Sequence, residues 1–182
     1  MDKIPAALPE RLKEEGLSIV AAWAEGVPEE YVMQVIEKSR QPHVMKFEGH
    51  EDAGGRFKDM RAYKQWSQKN KRLVYLLIAE KENGPADVGG IIWFGTRKSD
   101  LVDDKYSLTF GIRLYEGCVG KGLAKPFMQA THEDLDRFYP ASQSIWLDFV
   151  KENIAAAKAY SSFGYIELTE SDGRIVMGYD RD

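Results

Sequence analysis

The sequence predicts an α/β (α+β) chain with about seven strands in one mixed central sheet, flanked by about four helices. Three observations carry this prediction. Two apolar runs separated by Asn83-Gly84-Pro85 read as an antiparallel hairpin, and a second pair around Ser171-Asp172-Gly173 reads the same way. Segments with helical spacing are interleaved with short apolar strands in the second half. Three strands follow one another before that half begins, so the order is not a strict βαβ alternation.

The elements can be justified in order. Residues 1–16 are charged and contain Pro5 and Pro9, and read as an arm preceding a single domain over 17–182. Ser18–Trp23 is a short apolar run, a first strand. Pro28 sits where a first helical residue would, with Glu29 and Glu30 in the positive end of the helix dipole. Tyr31, Val32, Val35 and Ile36 then recur at helical spacing to about Arg40. Residues 41–58 have no period and read as a long loop, a feature that often serves function. A helix is expected over roughly Asp59–Asn70, and the hairpin pairs Leu73–Ala79 with Val88–Phe94. Tyr106–Leu114 is the next strand, with Tyr106, Leu108, Phe110, Ile112 and Leu114 expected on one face. A helical pattern runs from the glycines near 120 to about Tyr139, with Pro126 in its first turn, where proline is tolerated. Ser144–Val150 is a strand and Asn153–Phe163 an alanine-rich helix. Tyr165–Thr169 and Arg174–Tyr179 form the closing hairpin.

Composition bounds the function. The 182 residues suit one domain, and 43% apolar against 30% charged residues favours a packed core over disorder. Twenty-nine acids against 25 Lys and Arg leave a net charge of −4, which argues against a general nucleic-acid binder and is compatible with cationic substrates. Cys118 is the single cysteine, so an internal disulfide and a cysteine metal cluster are excluded. No apolar run is long enough to span a bilayer, and Met1-Asp2-Lys3-Ile4-Pro5 does not read as a signal peptide. The expectation is a cytoplasmic protein without a membrane or nucleic-acid partner.

Gly120 and Gly122 lie between a strand and a helix. Glycine lets backbone approach a phosphate closely, and free N–H groups at a helix start favour an anion. Lys121 adds a positive charge. An ordinary glycine turn closing a strand would look the same. The P-loop pattern is absent, and the dinucleotide fingerprint fails because Lys125 occupies its third glycine position.

Val119-Gly120-Lys121-Gly122-Leu123-Ala124 resembles the acyl-CoA pyrophosphate loop of the GNAT-superfamily N-acetyltransferases, Q/R-x-x-G-x-G/A, with matches at Gly122 and Ala124. Val119 stands where the common R-G-K-G-L-A variant has arginine. Downstream, Asn153, Ala156, Tyr160 and Phe163-Gly164-Tyr165 resemble that family's N-x-x-A-x-x-x-Y-x-x-x-G-F/Y block. Asn153 can cap the helix, Asn153, Ala156 and Tyr160 share one helix face, and Gly164 can end it. The two motifs occur in the family's order.

The resemblance implies a mostly antiparallel GNAT-like sheet and an acetyl-CoA cosubstrate lying where Tyr106–Leu114 and Ser144–Val150 splay apart. Backbone groups near Ile112 and Leu114 would hold the pantetheine arm and polarise the thioester. Val119, Gly120, Lys121, Gly122, Leu123 and Ala124 would hold the pyrophosphate, with Asn153 and Ala156 nearby. An acceptor amine would attack directly, and Tyr160 would protonate the departing thiolate. A phenol, with a pKa of about 10, keeps that proton at neutral pH. The base stays open between Asp148, Glu116 and a water chain, with Glu51 and Asp52 as further acids. The acceptor is expected to be a primary amine, a small molecule being favoured over a protein N-terminus. A non-catalytic acyl-CoA sensor is the rival from another class. A homodimer is left open.

Other residues carry weaker signals. His43, Glu48, His50, Glu51 and Asp52 form an acid- and histidine-rich stretch without metal-ligand spacing, so no metal is expected. His132 falls on the helix after the glycines, and Cys118 lacks a histidine at a telling spacing for a nucleophile. Trp66, Trp93 and Trp146 read as core or pocket wall, and Lys69-Asn70-Lys71-Arg72 as a solvated helix end.

Overall fold

The structure, a computed structural model, describes residues 1–4, 7–47 and 55–181. The chain runs β1 (Asp2–Lys3), α1 (Glu10–Glu14), β2 (Leu17–Trp23), α2 (Glu29–Lys38), α3 (Pro42–Met45) and α4 (Met60–Ser67). Next come β3 (Leu73–Ala79), β4 (Asp87–Thr96), β5 (Tyr106–Leu114) and α5 (Ala124–Asp134). It closes with β6 (Ser144–Val150), α6 (Ile154–Phe163), β7 (Ile166–Ser171) and β8 (Arg174–Tyr179).

β3 and β4 are apolar on both faces, the pattern of strands covered on two sides, and they sit inside the sheet. Sheet order is β1-β2-β3-β4-β5-β6-β8-β7. Every neighbouring pair is antiparallel except β5 with β6. Alternation along β3 sends Leu73, Tyr75 and Leu77 to a core under α1, α5 and α6, where Leu12, Phe127, Met128 and Tyr160 pack. It sends Val74, Leu76 and Ile78 to a second core under α2 and α4, with Val32, Val35, Ile36, Tyr63 and Trp66.

The parallel pair decides where a ligand can enter. β5 and β6 are in register at Tyr106–Ser144, Leu108–Ile145 and Thr109–Trp146, and there the pairing stops. β5 continues against β4 as far as Leu114, while β6 continues against β8 as far as Val150. Each strand follows its outer neighbour, so Phe110–Leu114 and Leu147–Val150 diverge and open a notch in the sheet.

Among the described residues the sheet has eight strands rather than about seven, because Asp2 and Lys3 pair with Ala21 and Val20. A two-residue strand has no period to read. Among the described residues six helices form rather than about four. The additional two, α1 and α3, have five and four residues, too short for an amphipathic signal. α3 lies inside the stretch 41–58 expected as loop, with Pro42 at its start. Glu48, His50, Glu51 and Asp52 of that stretch lie outside the described residues. Tyr106 departs from the face expected for it. An irregularity in register between Tyr106 and Leu108 sends Tyr106 to a small cluster with Trp146 and Val176, away from Leu108 and Phe110.

Candidate active site

The notch is lined first by backbone. At the two ends of β5, the Arg97 N–H donates to the Ser107 carbonyl and the Tyr115 N–H to the Gly89 carbonyl, each at 2.9 Å. In an antiparallel ladder the direction alternates by residue. Odd-numbered residues therefore aim their polar groups at β4. Phe110, Ile112 and Leu114 aim theirs at the notch, where β6 no longer pairs with them. Ile112 and Leu114, the two positions expected to hold a pantetheine arm, are half-buried there.

β5 leads directly into the glycine loop. Gly120 and Gly122 adopt φ of +79° and +73°, a region that penalises any side chain, and a Cβ at either would meet nothing within 4 Å. The loop is thus shaped by backbone conformation and open on its outer side. Among the described residues, the N–H groups from Gly120 to Lys125 make no hydrogen bond. Leu123 is fully buried and anchors the loop, and α5 starts at Ala124 without a side-chain cap. A string of free donors thus runs onto a helix N-terminus, an arrangement that favours an anion. Val119 is exposed. Lys121 points its ammonium at Glu15, 3.0 Å away at the end of α1, and this hydrogen bond holds the Glu15 carboxyl below its ordinary range.

α6 brings Tyr160 to the notch. Its N-terminus is capped by Asn153, whose side-chain oxygen accepts from the Ala156 N–H at 3.1 Å. Ala156 is half-buried against the core, and Gly164 (φ +121°) ends the helix. The Tyr160 ring packs against Phe110 of β5 and Phe149 of β6, with centroids 6.1 and 5.5 Å away. The tyrosine is therefore wedged between the two diverging strands. Burial, reinforced by the nearby Asp148 charge, raises its hydroxyl pKa well above that of a free phenol. Among the described residues, the side-chain polar atoms sealed from solvent without a partner are Ser18 Oγ and Trp66 Nε1. The Tyr160 hydroxyl bonds to no described residue and is not one of these, so it is unpaired without being completely sealed, in a residue that is itself buried.

Among the described residues, neither of the two acids expected as bases hydrogen-bonds to Tyr160, although the Asp148 charge reaches it. Asp148 alternates with Leu147 and Phe149 on β6, so it faces the side of the sheet opposite to Phe149, and its carboxylate pairs with the Arg174 guanidinium on β8. Glu116 is exposed beyond the end of β5.

Sequence reasoning missed how this strand end is held. His43 of α3 hydrogen-bonds through Nε2 to the Leu114 carbonyl at 3.0 Å. Gln41 Oε1 accepts from the Glu116 N–H at 3.0 Å, and Ser39 Oγ lies 3.2 Å from the Tyr115 hydroxyl. These partners are more than seventy positions apart, and no local pattern announces them. Burial pushes the Cys118 thiol pKa up, away from a reactive thiolate. His132 is boxed by Phe94, Phe110, Phe163 and Tyr179. The Trp93 ring closes against Gly111, and Arg113 is stacked 4.7 Å over Phe57, its pKa lowered to about 10 by burial.

No family model and no curated protein matches this sequence. Solved structures do match. A ribosomal-protein-S5-alanine acetyltransferase from Vibrio fischeri superposes with a TM-score of 0.61 at 12% identity, covering 92% of this chain and 94% of the other. The N-acetyltransferase PseH from Campylobacter jejuni, in complex with acetyl coenzyme A, gives 0.57 at 13% identity, covering 90% and 99%. A spermidine N-acetyltransferase from Vibrio cholerae, in complex with CoA and spermine, gives 0.59 at 16% identity, covering 90% and 93%. With the notch, the glycine loop and α6 arranged as above, the chain has the fold of the GNAT N-acetyltransferases.

Proposed function

We propose that this chain transfers the acetyl group of acetyl-CoA to a primary amine, a small molecule by preference. The observation that carries this reading is the continuity of donors. An unpaired strand edge at Phe110–Leu114 runs into a glycine loop whose N–H groups are free. A pantetheine arm is a chain of amides, and amides complete a strand edge. A pyrophosphate is an anion, and the loop presents N–H groups at the start of α5. The two ends of one cosubstrate therefore find their chemistry in adjoining segments.

The reaction follows from that placement. The amine nitrogen attacks the thioester carbon, and a notch-facing N–H of β5 stabilises the oxyanion. The carbon–sulfur bond then breaks, and Tyr160 gives its proton to the departing thiolate. The proton lost by the amine leaves through water. Asp148 is engaged by Arg174 and Glu116 lies beyond the strand end, so neither has a direct route in this geometry. A second reading, a non-catalytic acyl-CoA sensor, is favoured by that lack of a placed base and by Val119 in the loop.

Calorimetric titration with acetyl-CoA, with CoA and ATP as controls, tests the cosubstrate. Saturable binding of acetyl-CoA, not matched by ATP, is expected. No binding at millimolar acetyl-CoA overturns the proposal. Tyr160→Phe should lower turnover by roughly a hundredfold with cosubstrate affinity kept, the usual size of a general-acid contribution. Unchanged turnover in that variant would remove Tyr160 from the mechanism.

A further inference from the structure

We propose that His43 is a positioning residue for acyl-CoA, holding the last notch-facing carbonyl of β5 in the direction the cosubstrate needs. The inference rests on the acyl-CoA reading above. Beyond Thr109, β5 has lost β6 and is held by β4 on one side. Leu114 is the last residue of that ladder, opposite Gly90. Its carbonyl faces the notch, where no strand receives it.

His43 supplies the partner, 3.0 Å away. A carbonyl can only accept, so Nε2 carries the proton. The next two residues are tied to the same short segment. The Tyr115 hydroxyl meets Ser39 Oγ, and the Glu116 N–H meets Gln41 Oε1. Three successive residues are thus splinted by residues 39–43, at the point where strand becomes glycine loop. The splint comes from the α2–α3 side, whereas Gly120–Lys125 lie outside it. The Leu114 oxygen keeps a second lone pair for a ligand amide. Loss of His43 should therefore harm recognition of the amide arm and spare recognition of the nucleotide end.

The test measures binding of acetyl-CoA and of adenosine bisphosphate, the nucleotide end of CoA, to wild type, His43→Ala and His43→Gln. His43→Ala should weaken acetyl-CoA about tenfold, the value of one well-placed hydrogen bond, and change nucleotide affinity less than about twofold. Its melting temperature should stay within about 3 °C of wild type. His43→Gln, which keeps an N–H donor, should recover most of the loss. In turnover, the KM for acetyl-CoA should rise while kcat holds. Equal loss for both ligands, no loss for acetyl-CoA, or no recovery with glutamine overturns the proposal. Should His43→Ala fail to fold, Gln41→Ala must show the same ligand-selective loss, and its absence overturns it equally. A wild type that does not bind acetyl-CoA overturns the cosubstrate reading and this inference together. Wild-type binding with an indifferent His43→Ala overturns this inference alone.

Discussion

Tyr160 and His132 occupy neighbouring aromatic surroundings, yet their polar atoms meet different fates. The Tyr160 hydroxyl, between β5 and β6, bonds to no described residue and keeps its donor free. Both ring nitrogens of His132 are used, Nδ1 toward the Met128 carbonyl and Nε2 toward the Tyr165 hydroxyl, each at 2.8 Å. Nδ1 must donate to the carbonyl, and because burial keeps the ring neutral, Nε2 accepts from the tyrosine. Burial holds its pKa down at about 3, from an ordinary 6.5. The depressed value sets the sign of the pH effect. Between these two pKa values the unfolded chain binds the proton and the folded chain does not. His132 therefore lowers stability as pH falls through that window, by on the order of a few kcal/mol, and costs nothing above it. His132→Gln, which cannot titrate, should flatten the acid limb of a denaturation profile whatever its absolute stability. An unchanged limb would assign the acid sensitivity elsewhere. The helix after the glycine loop was legible in the sequence, but not this role. Helical spacing locates a histidine on a face, while the groups around its ring come from β4, β5, α6 and β8.

At the scale of elements, the notch depends on how tightly β4 and β5 hold together once β6 has left. Gly111 is the tightest point. A Cβ there would lie 2.1 Å from the Trp93 ring, so the strand can pass under the indole only without a side chain. Gly111→Ala should cost about 1–3 kcal/mol through overpacking, with a matching fall in the denaturation midpoint. Gly120→Ala is the contrasting case. Nothing lies within 4 Å of the new methyl, so its cost is conformational, about 1–2 kcal/mol, and falls on the loop. Denaturant titration of both variants, paired with acetyl-CoA binding, separates the effects. Gly111→Ala should act mainly on stability, whereas Gly120→Ala should lower both stability and affinity. The glycine loop and the Asn153 cap were readable because each is made by residues within a turn of one another. The significance of Gly111 was not readable, since it depends on the cross-strand pairing Trp93–Gly111.

At the scale of the molecule, the N-terminal arm is joined to the core and to the site. Leu12 is fully buried within the core that also holds Phe127, Met128 and Tyr160. Leu12→Ala should destabilise the protein by about 2–5 kcal/mol, measurable by thermal or denaturant unfolding, as for other buried leucines. A loss below about 1 kcal/mol would mean that the arm is a detachable appendage. Three residues further on, Glu15 reaches Lys121 in the glycine loop, so the arm also sets the charge that a phosphate would meet.

The sequence by itself determined the α/β class, the two hairpins, the strand–loop–helix around Gly120 and the capped helix carrying Tyr160. Each is written in local periodicity, turn chemistry or capping, which act over a few residues and at these places agree with the fold. Tertiary structure alone decided that β5 and β6 part after Thr109, that Asp148 is engaged by Arg174, and that His43 receives the Leu114 carbonyl. Those outcomes follow from register. A shift of one residue along a strand reverses every side chain and every backbone polar group, and a register is set by the packing of the whole sheet.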